Sequence, residues 1–326
     1  MKEKCRLYPR YFQNTKIIFY FKSTVFSLTA PKYILPINYQ HYNLLCNKII
    51  HSLPNNFSLT TSDNLQLNGA FFSPPAPIKA VIVLIHGMGE HFGRYKHVVD
   101  FFMSIGYAVV SMGYRGHGTS QGKKGHIPSY NQLMDDTDLL VKKAHELFKV
   151  LPLIMYGHSL GGNIAANYVL RRQPSLKGLI ITAPYFKLAF DPPAWKVAMS
   201  KIMAKVLPAL TLPTELELAA LSREQSVVDA YKNDALVHDK ISATFFINVH
   251  PAGLYPIEHA GDLKTKTLAM HGLADRITSY DGTTEFAQKN PQMIELKLWE
   301  GLYHEIHNEK EKQQVFDYIA MWLEKL

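Results

Sequence analysis

Ser159, Asp275 and His304 have the residue types and the chain order that acyl transfer uses. A serine hydroxyl is a weak nucleophile at neutral pH, so it needs an imidazole to take its proton and a carboxylate to hold that imidazole in one tautomer. Ser159 lies in Gly157-His158-Ser159-Leu160-Gly161, which fits G-x-S-x-G, the spacing of a strained strand-to-helix turn that lifts a serine oxygen to the top of a sheet. Small residues two before and two after the serine are needed because the two backbones nearly touch there. The apolar run Pro152-Leu153-Ile154-Met155-Tyr156 has the length of a buried strand, and residues 163–172 have helical composition. A lone G-x-S-x-G also occurs by chance, as a glycine-rich turn capped by a serine; the flanking strand, the helix and the extra Gly162 weigh against that reading.

A nucleophile of this kind is followed in the chain by its acid and then its base, each on a loop after a later strand. Asp275 follows the strand-like run before Met270-His271-Gly272, and His304 follows the last strand-like run, just ahead of the final helix. Taken singly, Asp275 could be a helix cap and His304 an ordinary surface histidine; the joint order and location favour the triad. His307, one turn on, is the rival base. His304-Glu305-Ile306-His307 resembles a zinc motif, but H-E-x-x-H sets its histidines four apart on one helical face and these are three apart, so no metal is expected. An oxyanion site needs two converging backbone N–H groups. Leu160, at a helix N-terminus, supplies one with help from the helix dipole, and Met88, in the loop Ile85-His86-Gly87-Met88-Gly89, supplies the other.

These residues need a sheet to hold them. Ala80-Val-Ile-Val-Leu-Ile85 is continuously apolar and β-branched, as a central parallel strand covered on both faces must be. Strand patterns beginning at Tyr107, Leu153, Gly178, Thr267 and Ile294 alternate with helical patterns over residues 130–149, 163–172, 280–289 and 309–325, and a hairpin over Phe57 to Phe72 precedes them. The expected fold is α/β, a doubly wound, mostly parallel sheet of about eight strands. The rhythm breaks between Pro184 and about Lys264, too long an interval for an ordinary connection. Inside it Trp195, Met199, Ile202 and Val206 recur at helical spacing. A helical cap over residues 184–264, with those four side chains lining a substrate pocket, is the expectation.

The chain of 326 residues carries a net charge of +8, unevenly placed. Residues 1–55 hold eight lysines and arginines against Glu3 alone, a net of +7 that leaves +1 for the remainder. A nucleic-acid partner is therefore not expected, because residues 56–326 are nearly neutral. Both cysteines, Cys5 and Cys46, fall in the basic segment, so residues 56–326 contain no disulfide. The apolar run Ile17-Ile18-Phe19-Tyr20-Phe21 ends at Lys22, far short of the ~20 residues a membrane-spanning helix requires. As a signal peptide the segment has a broken apolar region and a poor cleavage site. It reads as an extension outside the functional domain, or as an arm of basic and aromatic residues touching a membrane surface. A cytoplasmic protein, peripheral at a membrane if that arm binds one, is expected.

His86-Gly87-Met88-Gly89-Glu90-His91-Phe92-Gly93-Arg94-Tyr95 resembles the H-G-x-G-E-H-x-x-R-Y signature of the monoacylglycerol lipase and lysophospholipase group of α/β-hydrolases, the serine aminopeptidase-type family. Arg115-Gly116-His117-Gly118, Gly157 to Gly162, His271 to Asp275 and Glu300 to Glu309 continue the resemblance in order over residues 57–326. It implies Ser159, Asp275 and His304 as the triad and the Met88 and Leu160 amides as the oxyanion hole. Two departures touch the surroundings: Gly113 stands where many relatives have an aspartate, and Asp234-Ala235-Leu236 where Asp-Pro-Leu is usual.

The implied activity is cleavage of carboxylic esters through an acyl-enzyme without metal or organic cofactor, on a small lipid ester of monoacylglycerol or lysophospholipid type. An amidase or aminopeptidase with the same triad is the enzymatic alternative, because the motifs specify acyl transfer and not the leaving group. A binding or scaffold protein on the same fold is the alternative without catalysis.

Overall fold

The computed structural model describes residues 16–21, 24–29 and 53–326. In the N-terminal unit, β1 (Lys16–Phe21) pairs antiparallel with β2 (Thr24–Thr29). Of the basic extension expected over residues 1–55, residues 1–15, 22–23 and 30–52 lie outside the described residues.

The second unit, His51–Leu326, is built on one eight-stranded sheet. Its strands are β3 (Asn55–Thr60), β4 (Gln66–Phe72), β5 (Ala80–Ile85), β6 (Tyr107–Met112), β7 (Leu153–His158), β8 (Gly178–Thr182), β11 (Thr267–Gly272) and β12 (Ile294–Trp299). They lie in the order β12-β11-β8-β7-β5-β6-β4-β3. Only the β3–β4 and β4–β6 pairings are antiparallel. The helices that return the chain are α1 (Lys96–Ser104), α2 (Tyr130–Leu147), α3 (Leu160–Arg172), α8 (Tyr280–Gln288) and α9 (Lys312–Glu324). Between β8 and β11 runs an insertion with α4 (Ala194–Val206), β9 (Thr211–Pro213), α5 (Gln225–Asn233), β10 (Lys240–Ser242), α6 (Ala243–Ala252) and α7 (Leu254–Glu258).

The unbroken apolar run of β5 is explained by its two faces. Val81, Val83 and Ile85 enter one core with Leu133, Ile164 and Phe286, while Ile82 and Leu84 enter the other with Phe102, Ile319 and Trp322. Successive strand side chains point to opposite faces, so a strand sandwiched between helices has no polar side to show. Each such buried Val, Ile or Leu contributes about 1.5–3 kcal/mol relative to exposure.

Strand order also places the site. After β5 the chain steps to β6 on one side, then crosses to β7 and β8 on the other. The loops leaving β5 and β7 therefore diverge at their carboxyl ends, the crevice where open α/β sheets take ligands. His86–Gly89 occupies one loop and Ser159 the other.

Candidate active site

Ser159 stands between β7 and α3 with φ 54° and ψ −118°, a left-handed backbone that costs a non-glycine residue about 1–3 kcal/mol. The surroundings enforce it. A Cβ on Gly157 would lie 2.3 Å from the Gly161 carbonyl oxygen, and one on Gly161 would lie 2.1 Å from that of Ile85. The Ser159 N–H donates to the Thr182 carbonyl at 3.0 Å, and the Ser159 carbonyl accepts from the Asn163 and Tyr185 amides at 3.0 and 2.9 Å. Its hydroxyl makes no capping hydrogen bond to α3. The serine is thus held by its backbone alone, which is not how a capping serine is used.

The loops after β11 and β12 bring Asp275 and His304 together. His304 Nδ1 lies 2.7 Å from Asp275 Oδ2, and both residues are buried. The carboxylate is otherwise saturated: Oδ1 accepts from the Ile277 and Thr278 amides at 2.7 and 3.1 Å, and Oδ2 accepts from Thr278 Oγ1 at 2.9 Å and meets His271 Nε2 at 3.0 Å. Burial by itself would raise the Asp275 pKa, but the neighbouring His304 and the hydrogen bonds from His271 and His304 hold it well below the usual carboxylate range. Burial likewise favours the neutral His304 ring; the Asp275 carboxylate outweighs it, and the pKa lies above the ordinary histidine value. The His304 ring sits 4.8 Å, centroid to centroid, from that of His158, the residue next to Ser159. Among the described residues no hydrogen bond joins Ser159 Oγ to His304 Nε2, and catalytic contacts of this kind are often long before substrate binds.

Among the described residues His307 has no carboxylate partner. Its ring stacks on Tyr95 at 5.2 Å and His97 at 5.8 Å, its carbonyl accepts from His97 Nε2 at 2.9 Å, and burial pushes its pKa far down. Of the two histidines, His304 is the one paired with Asp275.

The loop after β5 is held rigidly. His86 Nδ1–H donates to the Gly87 carbonyl at 2.8 Å while its Nε2 accepts from the Tyr114 amide at 3.3 Å. Gly87 N–H donates to Glu90 Oε1 at 2.7 Å. Among the described residues neither the Met88 nor the Leu160 amide donates in any turn, loop or cap hydrogen bond. Glu90 also accepts from Tyr95 Oη at 2.5 Å and from Arg94, whose guanidinium grips Glu305 in a bidentate pair at 2.9 and 3.0 Å and lies 4.6 Å above the Tyr231 ring. Glu305 follows His304 directly. This buried cluster ties the Met88 loop to the His304 loop across 211 residues of sequence.

A family model described as serine aminopeptidase, S33, matches residues 76–311. The chain belongs to this family. The chain is 34% identical over 271 residues to an abhydrolase domain-containing protein of Dictyostelium discoideum, covering 82% of this chain and 29% of that one. The chain therefore spans under a third of that relative's length. It is 32% identical over 254 residues to the monoacylglycerol lipase of Mycolicibacterium smegmatis, covering 77% of this chain and 90% of that one. The crystal structure of Paleococcus ferrophilus monoacylglycerol lipase matches it with a TM-score of 0.73 at 30% identity, over 79% of this chain and 98% of that one. The fold is the α/β-hydrolase fold.

One expectation needs correction. Trp195, Met199, Ile202 and Val206 do not face inward: they are 66, 48, 56 and 66% exposed. Helix α4 packs against α6, and its more covered side chains are Val197, Ser200, Met203 and Ala204. Spacing groups residues onto one face of a helix; it does not say which face finds a partner. In the sequence Glu90, Arg94, Tyr95 and Glu305 stand out only as signature letters, and the available signal is a charge or hydroxyl at three positions just after the oxyanion loop and at one just after His304. Gly113 is a glycine for a local reason, since a Cβ there would meet the His117 carbonyl oxygen at 2.8 Å. Among the described residues no group of three or more His, Cys, Asp or Glu side chains is placed to hold a metal.

Proposed function

We propose that this chain hydrolyses single-chain lipid esters, of monoacylglycerol or lysophospholipid type, through an acyl-enzyme on Ser159. Carboxylic ester hydrolysis is its reaction class. His304 Nε2 takes the Ser159 proton as Oγ attacks the ester carbonyl; the oxyanion is met by the Met88 and Leu160 amides, with the α3 dipole adding to the second. His304 then protonates the departing alcohol, and water attacks the acyl-enzyme with His304 again as base. Asp275 stays ionised, holding the imidazole by its Nδ1–H. The observation that carries the reading is the 2.7 Å contact between His304 and Asp275, delivered by two separate loops to the end of the sheet where the strained Ser159 stands.

The insertion between β8 and β11 acts as the cap over this end. Support for a lipid ester comes from the likeness to monoacylglycerol lipases. The triad alone leaves amide cleavage open, so the discriminating experiment is kcat/KM for p-nitrophenyl esters of two to twelve carbons beside an aminoacyl nitroanilide. Each methylene taken out of water contributes about 0.8 kcal/mol, so four added carbons raise kcat/KM by up to ~10²-fold before the pocket fills. A flat or falling ester series, or faster nitroanilide cleavage, would overturn the lipid-ester reading.

A further inference from the structure

We infer that Asp234, a residue of the insertion, positions the Met88 amide through His91 and the His238 backbone. This rests on the reading of Met88 as an oxyanion donor.

The Met88 N–H and the Gly87 carbonyl belong to one planar trans peptide and point in opposite directions. His86 holds that carbonyl from the sheet side. The far flank of the same loop is held by the insertion. The Gly89 carbonyl accepts from the His238 amide at 2.8 Å. Gly89 has φ +75°, and a Cβ there would lie 2.4 Å from the His238 carbonyl oxygen, so the two backbones touch and a displacement of one moves the other.

Asp234, just past the end of α5, sets where His238 lies. Its Oδ1 accepts from the Leu236 amide at 2.8 Å and its carbonyl accepts from the Val237 amide at 3.1 Å, which turns the chain toward Gly89. Its Oδ2 accepts from His91 Nε2–H at 2.8 Å. His91 Nδ1 accepts from the Gly93 amide at 3.2 Å, which places the ring proton on Nε2 and makes the contact to Asp234 a charge-assisted hydrogen bond. With side chains 26 and 12% exposed, Asp234 and His91 are shielded enough for that bond to hold its geometry. The insertion thus grips the loop at Gly89 and again at His91. Asp234 is a positioning residue: a shift of the insertion re-aims the amide that must meet the developing oxyanion.

The test uses the full chain with p-nitrophenyl butyrate and a trifluoromethyl ketone analogue, whose hemiketal oxygen needs the same donors. Losing one oxyanion donor costs about 10²–10³ in kcat, and a misaimed donor a part of that. Asp234→Ala is expected to lower kcat about 10-fold with KM within about twofold, and to raise the ketone Ki by a factor matching the kcat/KM loss. Asp234→Asn, whose single amide oxygen can keep only one of the two contacts, to His91 or to the Leu236 amide, recovers part of it. His91→Ala reproduces the loss, and the double variant loses no more than either single one, as a shared bond requires. Ki does not depend on the folded fraction, so poor folding cannot imitate the result. Unchanged kcat and Ki in Asp234→Ala, equal losses in the Ala and Asn variants, or a loss confined to KM would overturn the assignment. Full activity in Ser159→Ala would instead sink the catalytic reading itself.

Discussion

Every residue of β5, β7 and β8 is buried, whereas α4 in the insertion buries none. The two regions carry different kinds of information. At the sheet's carboxyl end, backbone approaches near 2 Å for an added Cβ leave Gly157 and Gly161 no substitute, and Ser159 inherits a conformation it would not choose. Chemistry is thereby written into positions that tolerate almost nothing else. Helix α4 shows Trp195, Met199, Ile202 and Val206 to solvent, with Lys196, Lys201 and Lys205 also exposed. That surface constrains the fold little and is free to govern what reaches the site.

The contrast is broken most severely at the sheet end. Ser159→Ala and His304→Ala are each expected to lower ester turnover by at least ~10³-fold, because triad members act as a unit, while His307→Ala stays far milder. A severe His307→Ala beside a mild His304→Ala, in steady-state assays, would reverse the assignment of the base. A smaller effect follows from pH. His304 serves as base only when neutral, and its pKa lies above the ordinary value because of Asp275. kcat/KM should therefore fall about 10-fold per unit as pH drops below a midpoint higher than ~6.5, and a midpoint well below that in a pH–rate profile contradicts the pairing. The smallest effect belongs to α4. Trp195→Ser with Ile202→Ser should leave p-nitrophenyl butyrate turnover within about threefold and lower turnover of a long-chain ester held in vesicles several-fold more. Should the double variant instead flatten the chain-length series in solution, the stripe lines the pocket after all.

What could be read from the amino-acid order follows the same division. The elbow, Asp275 and His304 were legible because each is tied to a strand end by short-range spacing, and the apolar run of β5 announced a strand covered on both faces. Boundaries drifted where glycine and serine carry the helix start: α3 begins at Leu160, not Asn163. Helix α1 has no counterpart among the helical patterns the sequence suggests, although Val98, Val99 and Phe102 share a buried face and Gly106 follows its end. The Glu90–Arg94–Glu305 cluster was illegible as a cluster, since pairing across 211 residues leaves no local periodicity. Amphipathic spacing does not fix the orientation of α4, because it is symmetric with respect to which partner exists.

The central claim, a nucleophilic Ser159 activated by His304, is tested most directly by labelling. The intact full chain treated with a fluorophosphonate and digested for mass spectrometry should carry one adduct, on the peptide containing Ser159; the adduct should be lost in Ser159→Ala and form at least ~10²-fold more slowly in His304→Ala. An adduct on another residue, or a rate indifferent to His304, would contradict the account.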